Sequence, residues 1–525
     1  MLFKTSTSTA RVLDVPPELW ALVAKLSGRQ ALARLCAVSH GFDAVFSPLL
    51  YGTATTDPPL KGAQTERLIR ALAQERSVGT PHRGSLVRRL VFPAYGEHRR
   101  IGEQACFTAL ERLFEASGEG YPVRPSALRA LKWDLECNNL LELEASMTKL
   151  LGPLLRTPGC FPHLKEISIQ CPVSCTHFDF LRIPDLEKVE VSLMVCDYET
   201  WHPSCDALGA ELASLPESSP RLRSLNLKLS MSGGSRQSTT PPPWAAYAAL
   251  LAAVNALHFP ALASLALAVD TAYADPPPPS SASASADFTP ILRAHPCLTH
   301  LALRAPATPA DALLLPRLQT FTGAPAHCAA VAARAPALAS LSLRFVERRE
   351  RLDESTLPAL FPPGVAPTLA RLTVRAVDEA DDDVSWPSAS LDTPTLACLA
   401  AAFPNLTDLD VSLAEELKDY TETLAALSSL ECICLRLYED VSDQPEAPAE
   451  QVFPPGAYAA HIPVSVLERL ARVRVVLRGD REPWSVGCES CDERNMRCAP
   501  GPLWALYSFG VRRMGTKGER VLVLE

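Results

Sequence analysis

Apolar residues recur along most of the chain in a pattern close to L-x-x-L-x-L, whose last positions alternate as in a half-buried strand. In nine of the thirteen copies a proline stands two residues before the first apolar residue, as in FPHLKEISI at 161 and FPNLTDLDV at 403. Because the chain has 47 prolines in 525 residues, only about one of thirteen positions is expected to hold proline by chance. Chance therefore does not explain nine prolines at this position of the pattern. The first apolar residues of the copies are Val87, Leu128, Leu164, Leu186, Leu222, Leu262, Leu298, Leu318, Leu338, Leu369, Leu406, Leu430 and Leu470.

The residues before these strands have apolar positions at helical spacing, as in TPTLACLAAAF and AAYAALLAAVNALHF. Each unit is therefore predicted to be a helix followed by a strand, with the proline ending the helix where the strand must begin. One unit cannot bury its apolar face alone, whereas stacked units form a continuous core. The sequence predicts an irregular α/β solenoid with parallel strands. A purely helical solenoid is the alternative, but it would not need strand ends of period two.

The N-terminal segment VPPELWALVAKL begins with two prolines, which suit a first helical turn. Leu19, Leu22, Val23 and Leu26 then fall on one helical face. Two more apolar stripes follow, and they contain Ala31, Leu35, Val38 and Phe42, and then Phe42, Val45, Phe46 and Leu49. Three helices in so few residues bury too little apolar area to be stable alone, so the segment is expected to need a partner.

Two families resemble parts of this chain. Strands of the form L-x-x-L-x-L that alternate with helices resemble leucine-rich repeats over roughly residues 84–478, although the Asn or Cys that follows the pattern in that family is missing. Residues 13–51 resemble an F-box: its L-P-x-E opening corresponds to Val15–Glu18, and its L-x-x-V-S-k-x-F/W segment to Leu35–Phe42. The combination resembles a fungal F-box-like family with degenerate leucine-rich repeats.

The F-box resemblance implies that the N-terminal helices bind the adaptor of an SCF-type cullin ubiquitin ligase, and through it a cullin scaffold. The repeats would then bind an unknown target protein, as a substrate-recognition subunit does. The alternative is a leucine-rich-repeat binding scaffold without a ubiquitin ligase role, in which these helices only cap the first repeat. By position, the adaptor-binding residues would be Pro16, Pro17, Leu19, Leu22, Leu35, Val38 and Phe42.

These patterns divide the chain into three predicted parts: an F-box-like helical domain at 10–55, a leucine-rich-repeat-like solenoid at 80–480, and a C-terminal cap or tail at 481–525. Segments rich in Pro, Ser or acidic residues, at 230–243, 275–287 and 378–386, are expected to be loops between units. Length alone agrees with more than one module.

Net charge and the search for targeting signals limit the classes of partner and the compartments that are expected for this protein. A net charge of −9 and a pI near 5.8 argue against a nucleic-acid partner, because a protein that binds the phosphate backbone needs concentrated Lys and Arg. WAAYAALLAAVNALHF, at 244–259, is too short and too rich in alanine to cross a bilayer, so no membrane partner is expected. The N-terminus shows neither a signal-peptide core nor the glycine needed for myristoylation. A cytoplasmic or nuclear protein with reduced cysteines is expected.

Catalytic motifs are missing from the sequence. It contains no G-x-S-x-G, H-E-x-x-H or G-x-x-x-x-G-K-[ST] motif, so neither an enzyme activity nor a cofactor is expected. Cys488, Cys491 and Cys498 include a C-x-x-C pair, but they supply only three metal ligands. A loop of free thiols is therefore favoured over a zinc site.

Side chains two, four and six residues after the first apolar residue are expected on the open face of the strands, because strand side chains alternate. In the first six units these positions have four basic against three acidic residues. In the last seven units, seven arginines stand against only Asp408 and Asp410, a net of +5. The arginines either keep the face soluble or bind an acidic or phosphorylated substrate segment. These predicted substrate-binding residues are Arg304, Arg344, Arg371, Arg375, Arg436, Arg472 and Arg474.

Overall fold

The structure is a computed structural model of the chain. It forms two compact units, one comprising Met1–Leu262 and Asp275–Ala284, the other Ala263–Ala274 and Ser285–Glu525. The residues that it describes are 16–38, 40–55, 86–92, 128–133, 161–172, 178–195, 198–231, 244–270, 288–304, 315–345, 357–376, 390–413, 417–439, 472–479, 503–514 and 519–524.

The helices of the first unit begin with three short ones near the N-terminus, where the three apolar stripes predict them. Two longer helices follow among the strands, and Gly209 of one lies close to Ala253 of the other, since a Cβ on Gly209 would lie 3.4 Å from that of Ala253. The helices are α1 (Pro17–Leu26), α2 (Arg29–Cys36), α3 (His40–Tyr51), the 3₁₀ helix η1 (Asp179–Arg182), α4 (Tyr198–Ser218) and α5 (Trp244–Asn255).

The strands of the first unit pair in parallel and in chain order. Strand β1 follows α3 directly, and Gly52 at this junction accepts hydrogen bonds from the N–H groups of Arg88 and Arg89, both at 2.9 Å. A Cβ on Gly52 would lie 2.6 Å from the carbonyl oxygen of Pro48, so the junction requires glycine. The strands are β1 (Thr53–Thr55), β2 (Arg89–Phe92), β3 (Ala130–Trp133), β4 (Glu166–Pro172), β5 (Lys188–Val195) and β6 (Ser224–Met231).

The second unit repeats the helix-then-strand order. Its strands also pair in parallel, except for the last two, β16 and β17, which run antiparallel to their neighbours. Its helices are α6 (Thr289–Ala294), α7 (Pro325–Ala332), α8 (Leu357–Leu360), α9 (Thr393–Ala402), the 3₁₀ helix η2 (Leu417–Tyr420) and α10 (Thr421–Ala426). Its strands are β7 (Ser264–Asp270), β8 (His300–Arg304), β9 (Thr320–Gly323), β10 (Ser340–Phe345), β11 (Arg371–Ala376), β12 (Ser390–Leu391), β13 (Asp408–Leu413), β14 (Cys432–Glu439), β15 (Arg472–Gly479), β16 (Leu503–Met514) and β17 (Glu519–Leu524).

The prolines of the repeat occupy the second position of a tight turn between helix and strand. Helices α4 and α9 end at Ser218 and Ala402, two residues before Pro220 and Pro404, as the sequence predicts. In most of these turns the N–H of the first apolar residue donates to the carbonyl three residues earlier, for example Leu338 to Ala335 at 3.1 Å. The fixed φ of proline suits this position of a β-turn.

The turn at 183–186 departs from this arrangement. Asp185 has a φ of 60°, and the N–H of Leu186 donates to the hydroxyl of Ser219 at 2.9 Å. That hydroxyl donates in turn to the carbonyl of Ile183 at 3.0 Å. The buried Ser219 therefore joins the two ends of a turn in the preceding unit.

Within each of the two compact units, successive described repeats are hydrogen-bonded to each other where their strands begin. The N–H groups of Ala370 and Arg371 both donate to the carbonyl of Ala339, at 2.9 Å each. Side chains add to this ladder, since the Thr368 hydroxyl donates to the carbonyl of Leu338 and the Asn405 amide to that of Pro367, both at 2.9 Å. These polar contacts lie at the turns, although the sequence lacks the Asn or Cys that follows the strand in leucine-rich repeats.

The core is formed by the residues that the repeat pattern predicts. Twelve of the thirteen first apolar residues are at most 4% exposed, and the thirteenth, Leu470, lies outside the described residues. Strand residues then alternate between half-exposed and buried, as in β13. The predicted α/β arrangement of helices and parallel strands is confirmed.

Candidate protein-binding surfaces

The N-terminal helices display apolar side chains that the rest of the chain buries. Every large apolar side chain that the structure describes as exposed lies between Leu19 and Leu49. Leu19 and Leu22 are each 52% exposed, Val38 is 66% exposed and Leu26 80%. Scattered single apolar residues on a surface are normal, but a contiguous group of them marks a site of association. The first predicted stripe, on α1, is therefore a surface rather than a core.

The predicted adaptor-binding residues fall into an exposed and a partly buried group. Pro16, Leu19, Leu22 and Val38 are exposed, whereas Leu35 is half-buried. Pro17 begins α1, as expected for a proline in a first helical turn. We name the exposed leucines Leu19, Leu22 and Leu26, which share one face of α1, the apolar helical patch.

Phe42, the remaining predicted adaptor-binding residue, belongs to an aromatic cluster that holds α1 against α3. Its ring stacks on that of Phe46 with centroids 5.7 Å apart, and Trp20 meets both rings edge to face at 5.6 and 5.3 Å. Phe46 is completely buried. Trp20 was not singled out in the sequence, since it lies off the first apolar stripe, yet it supplies the contact that orients α1.

The junction between α3 and β1 is relevant to the alternative hypothesis, in which the N-terminal helices only cap the first repeat. Because Tyr51 ends α3 and Thr53 begins a strand paired with β2, α3 and β1 form a helix-strand unit that precedes the first copy of the pattern. A terminal cap normally presents a polar outer face. Here α1 presents the apolar helical patch instead, so capping accounts for α3 but not for this patch.

The second unit has an open strand face of the predicted composition. The side chains of Thr320, Ser340, Asp408 and Cys432 are half-exposed, and that of Arg371 is exposed. The paired positions form rows across the strands. One row runs through Arg371, Asp408, Cys432 and Arg472, and the next through Thr373, Asp410, Cys434 and Arg474.

The predicted substrate-binding arginines are divided between these rows and a third. Arg344 of β10 is the direct cross-strand partner of Arg375 of β11. Continuing the strand registers places Arg304 and Arg436 at the same level. We name Arg304, Arg344, Arg375 and Arg436 the arginine row. Arg371, another of the predicted substrate-binding residues, lies at the other end of β11, opposite Asp408, and is therefore outside this row.

Buried thiols and acidic groups form no further centre in the described part of the chain. Burial, with a contribution from the Asp206 carboxylate, raises the pKa of the Cys205 thiol to about 12, and burial raises the pKa of Cys328 well above its ordinary value. Neither thiol is therefore a nucleophile at neutral pH. The described residues contain no group of three His, Cys, Asp or Glu side chains placed to bind a metal. Cys488, Cys491 and Cys498 lie outside the described residues.

Comparison with known proteins adds no family assignment. No protein-family model matches the chain, and no curated protein matches it significantly. None of the described helices has both the length and the apolar character needed to cross a membrane. The F-box and leucine-rich-repeat resemblances stay predictions from sequence.

Proposed function

We propose that this chain is a non-catalytic substrate-recognition subunit of an SCF-type cullin ubiquitin ligase. In this proposal α1–α3 bind the adaptor through the apolar helical patch, and the strand array binds the target protein. The observation that carries it is the confinement of exposed large apolar side chains to residues 19–49 in the described chain. Burial of such side chains is the main favourable term in protein association.

The proposal also accounts for the order of helices and repeats. The aromatic cluster of Trp20, Phe42 and Phe46 packs α1 on α3, and α3 continues into the parallel sheet. A partner bound to the apolar helical patch would therefore be held by a body that is continuous with the strands.

The test is capture of the purified SCF adaptor by the purified full chain. The double substitution Leu19→Asp with Leu22→Asp introduces two charges into the apolar helical patch, where a charge buried and unpaired at the contact costs several kcal/mol. We expect adaptor affinity to fall by ~100-fold or more. The matched control is Ala33→Asp with Ala44→Asp, which adds the same charge at exposed positions outside the predicted contact residues. Unchanged affinity in the first variant would refute the adaptor contact.

The second candidate is a leucine-rich-repeat binding scaffold without a ligase role. The continuity of α3 with β1 favours it, because that continuity lets the N-terminal helices serve as the first unit of the array. Failure of the folded wild-type chain to capture the adaptor would select this candidate.

A further inference from the structure

We propose that Arg371 and the hydroxyl groups beside it in the second unit bind one oxyanion, a phosphate or a carboxylate, carried by an extended segment of a protein. The hydroxyls belong to three neighbouring strands, β9, β10 and β11. We name them the hydroxyl platform: Thr320, Thr322, Ser340, Ser342 and Thr373. The inference rests on the proposed function in one respect, because it treats the bound segment as part of the target protein.

The strand registers place Arg371 and the hydroxyl platform side by side on the open face. Arg371 of β11 is the direct cross-strand partner of Ser340 of β10. The remaining pairs are Ser340 with Thr320, Ser342 with Thr322, and Ser342 with Thr373. These residues form two rows of three, since the strands are ~4.8 Å apart and the rows are two residues apart along each strand. Arg371 therefore occupies one corner of a compact block of hydroxyl-bearing residues.

The exposed Arg371 side chain has no acceptor in the described part of the chain, although an acidic residue lies on the next strand. Asp408 is its direct cross-strand partner, yet no ion pair joins the two. The Asp408 carboxylate instead accepts a hydrogen bond from the Thr407 hydroxyl at 2.7 Å. Arg182 shows the contrast, since it donates two bonds of 2.7 Å to the Glu211 carboxylate. The Arg371 guanidinium is therefore available to donate two parallel hydrogen bonds to an oxyanion.

The hydroxyl platform is available in the same way. All of its side chains are half-exposed, and none has a hydrogen-bond partner among the residues that the structure describes. Hydroxyls at the turns behave differently, because those of Thr299, Thr368 and Thr407 donate to backbone carbonyls at 2.9 to 3.1 Å. A hydroxyl both donates and accepts, so it can bond an oxyanion or the backbone of a peptide. The turn hydroxyls stabilise the array, whereas those of the platform are left for a ligand.

The dimensions of this block limit the ligand. It extends over two strand spacings, about 10 Å, and over two residues along the strands, about 7 Å. That area accommodates one oxyanion together with about three residues of extended backbone. On the β13 side, the carboxylates of Asp408 and Asp410 would repel a second anion. The ligand that fits is therefore a peptide segment with a single phosphate or carboxylate, rather than a polyanion.

The experiment measures binding of fluorescent nine-residue peptides to the purified full chain by anisotropy, without the adaptor. The peptides consist of glycine and serine, with phosphoserine, glutamate or serine at the central position. We expect the phosphoserine peptide to bind most tightly, because a phosphate carries more charge than a carboxylate. The serine peptide should bind at least ~10-fold more weakly. Inorganic phosphate should compete at least ~10-fold less well than the unlabelled phosphoserine peptide, because it lacks the backbone that the hydroxyl platform contacts.

Three single substitutions localise the anion. Arg371→Gln removes the guanidinium, and we expect a loss of ~10-fold or more for the phosphoserine peptide. The matched control is Arg293→Gln, which removes another exposed arginine of the second unit, on α6, and should leave the affinity unchanged. Asp408→Asn removes the negative charge opposite Arg371 and should strengthen binding of the phosphoserine peptide.

The hydroxyls are tested by Ser340→Ala with Thr373→Val, which keeps Arg371 and nearly the same side-chain volume. Both residues are half-exposed and bond no other described residue, so circular dichroism should show an unchanged fold. We expect a loss of affinity of about 3- to 10-fold for the phosphoserine peptide. An unchanged affinity would exclude these two hydroxyls from the site.

Other outcomes would overturn the inference as a whole. Equal losses in Arg371→Gln and Arg293→Gln would mean general charge attraction, and equal binding of the phosphoserine and serine peptides would mean a merely solvated face. Unchanged or weaker binding in Asp408→Asn would place the anion elsewhere. Equal competition by inorganic phosphate would exclude the peptide, and a ten-nucleotide single-stranded DNA that bound as tightly through Arg371 would assign the site to nucleic acid. Adaptor capture is measured separately, so failure of either proposal leaves the other standing.

Discussion

In the repeat units the first apolar residue is almost completely buried, with Leu338 at 0% exposure, whereas Leu26 at the end of α1 is 80% exposed. Both residues are leucines in amphipathic patterns, so the pattern alone does not distinguish them. The two leucines differ in whether a neighbouring element packs against them. A repeat unit has a unit before it and a unit after it, and the apolar face of α1 has no corresponding neighbour among the described residues. Leucine in the array stabilises the fold, and leucine on α1 remains available for association.

The largest expected effect comes from removing a first apolar residue of the array. Leu338→Ala should lower the free energy of unfolding by about 3 kcal/mol, because the neighbouring units cannot collapse into the space it leaves. Urea denaturation followed by circular dichroism measures the loss. Leu338→Met, which conserves volume, should cost less than ~1.5 kcal/mol. Equal effects of the two substitutions would mean that the site repacks freely and is not a fixed core position.

A smaller but still clear loss is expected at the turn that Ser219 joins. Ser219→Ala leaves the buried N–H of Leu186 and the carbonyl of Ile183 without the hydroxyl that bonds both. We expect a loss of about 1–3 kcal/mol, measured by the same denaturation. Ser214→Ala in α4, the helix that ends just before Ser219, removes only a bond to the carbonyl of Glu211 and should be nearly neutral. A neutral Ser219→Ala would show that the bridge is not needed.

Alkaline pH should weaken the buried array through its thiols. Because the pKa of Cys205 is about 12 in the folded chain, this thiol ionises first in the unfolded chain, whose ordinary value is 9.0. Its contribution to stability is complete below pH 9 and is lost as pH rises toward 12, at about 1.4 kcal/mol per pH unit. Cys205→Ala should therefore reduce the slope of stability against pH between 9 and 11. The control is Ser204→Ala, which changes the neighbouring buried residue without removing an ionisable group and should leave the slope unchanged.

The smallest effect is expected on the apolar helical patch. Leu26→Ser should change the free energy of unfolding by less than ~0.5 kcal/mol, because a side chain that is 80% exposed loses few contacts. Thermal denaturation of the full chain measures this. A loss as large as that of Leu338→Ala would mean that α1 is packed in solution, and the contrast between the two regions would fail.

Much of the fold could be predicted because the repeat pattern carries two signals at once. Leu341 and Leu343 alternate with polar residues and so specify the buried face of a strand. Pro336, two residues before Leu338, indicates where the chain turns into that strand. Helices such as Thr393–Ala402 and Trp244–Asn255 follow from helical spacing in the same way. These signals are local, so a single sequence contains them.

Register between strands is not a local signal. The open-face position of Arg344 is predictable, but its pairing with Arg375 depends on how the two units align across an intervening segment of variable length. Strand β1 was missed because Thr53–Thr55 has no apolar alternation. The antiparallel β16 and β17 lie in the segment predicted only as a cap or tail. The predicted domain bounds at 10–55, 80–480 and 481–525 remain untested by the division into two compact units.

Where the described strand ladders begin, N–H groups of the later repeat donate to a carbonyl of the earlier one, and this order affects the array during synthesis. The carbonyl of Ala339 receives its partners only from Ala370 and Arg371, and that of Leu338 from Thr368. The chain grows at roughly 5–20 residues per second, so the 31 residues that separate Ala339 from Ala370 are added in about 2–6 seconds. During each such interval the newest strand is an uncovered edge, to which another chain could add. During synthesis the most recently formed strand is therefore always the unpaired edge of the array. The rate of translation determines how long each strand stays unpaired.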